Sequence, residues 1–139
     1  MSHVHTAEVH IRWSDFDRFG HLNNLSYIEL AQEARASYAQ QTFEAENLPV
    51  PAAFVAHIEA DYARPLFPDT QEARIDTVVT HIGSSSFTTK QTVYDREGNA
   101  CAVVTAIQVT VDLKSGKPRE ITEAEREIFS RSFVEEEAK

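Results

Sequence analysis

The chain has 139 residues, 42% of them apolar and 9% aromatic, with a net charge of −9. That length and apolar share are enough for one packed domain over residues 1–139, and they exclude a disordered chain. The acidic balance, to which residues 119–139 contribute seven Glu against four Lys or Arg, leaves no basic footprint for nucleic acid.

The opening MSHVHTAEVH lacks the charged-then-apolar leader of a secretory signal, and no apolar run approaches the roughly 20 residues of a membrane span. Residues 6–13 alternate: Ala7, Val9, Ile11 and Trp13 point one way, Glu8, His10 and Arg12 the other. That pattern predicts a half-buried strand ending at Trp13. A polar cluster follows, and then a helix over residues 24–44. Its buried stripe is Tyr27, Ala31, Ala34 and Tyr38, with Glu29, Gln32, Glu33, Ser37 and Gln40 opposite. Asn23 or Asn24 caps its start, and Asn47-Leu48-Pro49-Val50-Pro51 ends it.

From Ala53 the period returns to two, with Phe54, Ala56, Ile58, Ala60 and Tyr62 on one face, until Arg64-Pro65 closes the strand. Residues 74–82 and 86–94 form two more strands, and Asp95 to Asn99 makes a hairpin turn. Residues 100–111 are nearly all apolar, which predicts a central strand covered on both faces. The lone Cys101 in that run excludes an intramolecular disulfide and fits a reducing compartment, so a cytoplasmic protein is expected. Thr122 and Glu125 make a capping box for a short terminal helix. The order is one strand, a long helix, four strands in antiparallel succession and a short helix. It predicts an α+β fold in which a five-stranded antiparallel sheet wraps around one long central helix.

The chemistry is concentrated in Asp15-Phe16-Asp17-Arg18-Phe19-Gly20-His21-Leu22-Asn23-Asn24-Leu25-Ser26-Tyr27. A calcium loop would need ligand oxygen at Phe19 and a bidentate Glu at Ser26, and it has neither. A transition-metal site would need a second His or Cys near His21, and none clusters with it in sequence. No metal is expected. Two readings remain open on the residues alone. Asp17, Asn23 and Asn24 can simply satisfy backbone donors around a turn at Gly20. Equally, a carboxylate beside the unpaired N–H groups of a helix N-terminus can act on an activated acyl group, the N–H groups polarising its carbonyl.

The stretch from Trp13 to Ile28 resembles the N-terminal motif of the hotdog-fold thioesterases, in the 4-hydroxybenzoyl-CoA thioesterase-like family. That motif reads Asp-x-Asp-x-x-Gly-His-x-Asn-Asn-x-x-Tyr. Similar stretches at Tyr62 to Leu66, Ile82 to Ser86, Asp95 to Asn99 and Val109 to Pro118 extend the resemblance over residues 6–120. It implies a hotdog fold and an acyl-CoA thioesterase acting on a CoA thioester substrate, with no cofactor. By position it makes Asp17 the catalytic carboxylate, as nucleophile or general base, and leaves Asp15 structural. Backbone N–H groups around Asn23 and Asn24 would polarise the carbonyl. Gly20, His21, Tyr27 and Phe54 would line or orient the acyl site, and Ser85 would meet the pantetheine arm. Arg64 and Lys90 would be available to the CoA phosphates. The active site would lie in a homodimer or homotetramer. Plant acyl-carrier-protein thioesterases have a similar stretch with Asn where this chain has Phe19, so a mechanism relying on that Asn does not transfer.

Two other functions fit the same fold. One is a non-catalytic acyl-CoA or acyl-carrier binding protein. The other is a hotdog hydratase or dehydratase, but those enzymes hold Asp and His five residues apart around Asn-Pro. Here Asp17 and His21 are four apart, with Arg18-Phe19-Gly20 between. The small residues Ala31, Ala34 and Ala56 suggest room for a fatty rather than an aromatic acyl group.

Overall fold

In a computed structural model describing residues 3–136, the strands are β1 (His5–His10), β2 (Ala53–Tyr62), β3 (Glu72–Ile82), β4 (Ser86–Tyr94) and β5 (Ala100–Thr110). They form one antiparallel sheet in the order β1-β3-β4-β5-β2. A long helix, α1 (Asn24–Glu44), packs against the sheet, and a short helix, α2 (Glu123–Arg131), follows β5. This is the expected hotdog arrangement.

Helix α1 starts where Asn23, in extended backbone, accepts a hydrogen bond from Leu25 N at 3.0 Å. It stops where Asn47 turns left-handed at φ 56° and Leu48 N reaches back to Phe43 O, just before Pro49. Tyr27, Ala31, Ala34 and Tyr38 are buried, as their spacing predicts. Ala31 and Ala34 have no exposed surface at all, so their small size lets helix and sheet approach closely. They do not open space for a ligand, and Ala56 lies exposed on β2. Beyond Tyr38 the core continues through Phe43 and Phe129, with Phe129 stacked on Phe87 at 4.2 Å. Such an aromatic pair contributes about 0.5–1.5 kcal/mol beyond its buried area.

Four local expectations change. First, β1 ends at His10, and Trp13 enters a 3-10 turn with 89% of its surface exposed. The cause is Asp15, whose side chain accepts from Arg12 N at 2.9 Å and so folds the chain into a turn before Trp13. Second, β2 does not lie beside β3; it crosses to pair with β5 and becomes an edge. Third, a register shift between Val55 and His57 switches the faces of β2. Ala53 and Val55 border α1 while Phe54 is 48% exposed, so Phe54 does not share a face with Ile58 and Tyr62. Fourth, β5 is central but covered on one face only. Ala102, Val104 and Ala106 are buried, whereas Val103, Thr105 and Ile107 on the other face are half-buried.

The capping box at α2 forms as its residues predict. Thr122 Oγ1 accepts from Glu125 N, and Glu125 accepts from Thr122 N and, bidentately, from Arg119. After α2 the chain runs beside β3 where β1 has stopped: Val79 N donates to Ser132 O and Val134 N to Val79 O. Among the described residues no helix is long and apolar enough to cross a membrane.

Candidate active site

The turn from Asp17 to His21 is built by its own residues. Asp17 N donates to His21 O at 2.8 Å and Gly20 N to Asp17 O at 3.0 Å. Closing it requires φ +77° at Gly20, a region glycine enters without steric cost. The Asp17 carboxylate straddles the turn, Oδ1 accepting from Phe19 N at 2.9 Å and His21 N at 3.2 Å. Oδ2 has no hydrogen-bond partner among the described residues, and the side chain is exposed.

The helix entrance lies next to this turn. Asn23 N donates to Asp15 O, Leu25 N to the Asn23 side chain, and Ser26 N to Asn23 O. Asn24 N has no acceptor among the described residues. One donor at the positive end of α1 is therefore uncommitted. Asp17, His21, Asn23 and Asn24 line an open pocket of about 520 Å³, together with Tyr62 and Arg64 from the end of β2 and the turn after it. Tyr62 donates from its hydroxyl to Asn24 O at 2.7 Å, tying the end of β2 to the start of α1. Tyr27 stands edge-on to Tyr62 at 5.2 Å, and its hydroxyl accepts from Leu66 N at 3.1 Å. Burial pushes the Tyr27 hydroxyl above the ordinary tyrosine range, against a smaller opposing effect of the Leu66 N–H. It therefore stays a neutral wall of the pocket. His21 rests edge-on against Phe67, ring centres 5.4 Å apart.

Asp15 faces elsewhere. It is 7% exposed and its two oxygens accept from Arg12 N and Arg12 Nη2, while Arg12 also bridges to Glu29. Burial by itself raises the Asp15 carboxyl, but the hydrogen bonds and charge of Arg12 together outweigh it. The group titrates below the usual carboxylate range. Cys101 is fully buried, and burial pushes its thiol up, away from nucleophilic use.

Of the residues singled out in the sequence, Asp17, His21, Asn23, Asn24, Tyr27 and Arg64 come together in this pocket, with Gly20 shaping its turn. Within one chain three others do not. Phe54 is at the far end of β2, and Ser85 sits in the β3–β4 turn accepting from Thr110 N and Oγ1. Lys90 lies in a separate groove of about 590 Å³ lined by β3 and β4 residues, 4.0 Å from Glu136. Tyr62 is a pocket residue to which the sequence, read as a strand and as part of the resembling Tyr62 to Leu66 stretch, gave no site role. Its signal was weak: a tyrosine ending a strand just before Arg64-Pro65. No group of three or more His, Cys, Asp or Glu side chains able to hold a metal occurs among the described residues.

The chain matches the thioesterase-like superfamily over residues 11–129. It is 32% identical over 122 residues to the uncharacterized protein YsmA of Bacillus subtilis, covering 88% of this chain and 82% of that one. Its structure superposes on a Thermus thermophilus thioesterase complexed with coenzyme A and Zn, with a TM-score of 0.77 and 28% identity over 91% of each chain. It also superposes on Slr0204, a 1,4-dihydroxy-2-naphthoyl-CoA thioesterase from Synechocystis, at TM-score 0.76 and 15% identity. That alignment covers 92% of this chain and 96% of the other and speaks to the fold alone. The chain belongs to the thioesterase-like superfamily and is a thioester hydrolase of the hotdog fold.

Proposed function

We propose that this protein hydrolyses acyl-CoA thioesters to the free acid and CoA, with Asp17 as the catalytic carboxylate. The observation that carries this reading is that Asp17 and Asn24 line one open pocket, and that among the described residues neither Asp17 Oδ2 nor the Asn24 N–H has a hydrogen-bond partner. As general base, Asp17 takes a proton from water as the water oxygen bonds to the thioester carbon. Negative charge on the carbonyl oxygen is met by the Asn24 N–H at the positive end of α1. The C–S bond then breaks, and the CoA sulfur leaves with its electron pair and recovers the proton. As nucleophile, Asp17 would instead bond to the acyl carbon and expel CoA, and water would cleave the resulting anhydride. Single turnover in ¹⁸O-water followed by mass analysis of the enzyme detects the nucleophilic route when water attacks the aspartyl carbon, since label enters the Asp17 carboxylate only through that anhydride.

His21 and Tyr27 shape the pocket, and Arg64 at its rim is available to a CoA phosphate. No cofactor enters either route, and we assign the reaction to the cytoplasm. The outer edge of β2 carries unpaired strand groups and mostly exposed residues, which favours a homodimer joined edge to edge through β2, or a homotetramer built from two such dimers. Phe54 and Ser85 remain candidates for contact with substrate bound across that dimer. A panel of acyl-CoAs assayed for thiol release with wild type and Asp17→Asn tests the function. Loss of about 10²-fold or more is the expected outcome. Equal rates would make the cluster a binding site or a cap, as in a non-catalytic acyl-CoA or acyl-carrier binding protein.

A further inference from the structure

Arg35 is a buried cation with no anion beside it among the described residues. Its side chain lies on the sheet-facing side of α1 with 8% of its surface exposed. Its one hydrogen bond among the described residues runs from Nη1 to Gln91 Oε1 at 3.0 Å. Gln91 is neutral and already held, donating to Ala31 O at 2.9 Å and Thr77 Oγ1 at 3.1 Å. A guanidinium carries five N–H donors and no acceptor. No carboxylate approaches it among the described residues, and burial alone acts on it, lowering its pKa. A charge buried against a single amide is unfavourable unless something else meets it.

Arg35 lines a cavity of about 250 Å³ between α1 and the β2–β5 edge. The other walls are mainly apolar, among them Phe43, Val55, Phe87 and Phe129, with Gln32 and Tyr38 adding polar atoms. The polar Thr89 and Gln108 in the wall are bonded to each other at 3.0 Å. The cavity thus suits a short apolar chain with one anionic group. At the roughly 30 Å³ a water molecule occupies in the liquid, it holds about eight heavy atoms.

Its position relates it to Asp17. The cavity lies at the Ala53 end of β2, and the Asp17 pocket at the Tyr62 end. Antiparallel pairing of two copies through β2 sets the Ala53 end of one beside the Tyr62 end of the other. In such a dimer each Asp17 pocket would adjoin the second copy's cavity. We propose that the acyl group cleaved at Asp17 ends in a carboxylate, and that Arg35 of the second copy receives it as the specificity-determining residue. This rests on the thioesterase reading and on the β2 dimer. A carboxylate matches the planar fork of the guanidinium with two parallel hydrogen bonds, which an alkyl end cannot supply.

The test compares thiol release from octanoyl-CoA and octanedioyl-CoA, equal in length and differing at the far end. Wild type is expected to favour octanedioyl-CoA by about tenfold or more in kcat/KM, the size of one hydrogen-bonded charge contact. Arg35→Met should collapse that ratio to one or below, and Arg35→Lys should keep part of it. Because each ratio is taken within one protein sample, partial loss of folded enzyme cancels. The wild-type ratio decides the matter even if Arg35→Met does not fold. Hydrolysis of octanoyl-CoA as fast as octanedioyl-CoA by wild type overturns the Arg35 proposal and leaves the thioesterase reading intact. So does a ratio that survives Arg35→Met. Cleavage of no acyl-CoA by wild type overturns the thioesterase reading, and the Arg35 proposal with it.

Discussion

Asp15 and Asp17 stand two residues apart at one helix entrance, and the fold treats them in opposite ways. Asp15 is buried, with both oxygens engaged by Arg12, and its backbone carbonyl anchors Asn23 N at 2.8 Å. Asp17 is exposed and lines an open pocket, with one oxygen spent on its own turn and the other without a partner among the described residues. A saturated carboxylate contributes to stability because removing it strands its partners. A carboxylate with a spare oxygen is available for chemistry because its environment leaves it unsatisfied. The contrast predicts that one substitution should injure the fold and the other the reaction.

The largest effect should come from Asp17→Asn, a loss of about 10²-fold or more in thiol release. Its amide oxygen can still accept from Phe19 N and His21 N, so urea denaturation should register under about 0.5 kcal/mol. A stability loss as large as the activity loss would erase the distinction between the two aspartates. Asp15→Ala should do the reverse. Chemical denaturation should show a loss of about 1–3 kcal/mol, since Arg12 N and the Arg12 guanidinium lose their carboxylate acceptor while the backbone carbonyl that holds Asn23 N remains. Gly20→Ala comes next. Nothing lies within 4 Å of the added methyl, so the cost is that of the left-handed backbone alone, about 1–2 kcal/mol. Activity should fall as well, because the same turn aims Asp17. Tyr62→Phe removes the hydroxyl donated to Asn24 O, which costs about 0.5–1.5 kcal/mol and should leave α1 intact by circular dichroism.

The smallest effect sharpens the comparison through pH. The folded carboxyl of Asp15 titrates below the ordinary value of 3.8. Its contribution is therefore complete above about pH 5 and is lost as pH falls through the lower folded value. Melting temperatures taken from pH 5 down to pH 2.5 should fall more steeply for wild type than for Asp15→Asn. Parallel curves would mean that Arg12 does not hold Asp15 as its contacts imply.

Much of this could be read from residues. The α1 boundaries follow from Asn23 and from the prolines after Asn47, because caps and breakers act over a few residues. The Asp17–His21 turn is equally local, since each of its hydrogen bonds spans four residues or fewer. Trp13 misled because apolar alternation continued past the point where Asp15 folds the chain away. Phe54 misled for a related reason, since a one-residue bulge reverses every face beyond it.

By itself the sequence determined the order and type of the elements, the cap and turn at the helix entrance, and the family to which those residues point. All of these depend on periodicities and side-chain reach within a few residues. Only the tertiary structure decided that β2 would leave β3 for β5 and so become an open edge. It alone brought Tyr62 onto Asn24, 38 residues away, and set Arg35 against Gln91, 56 residues away, with no anion beside it among the described residues. Those contacts depend on which strand lies beside which and in what register. That is a choice among long-range packings of the whole chain, and periodicity carries no information about it.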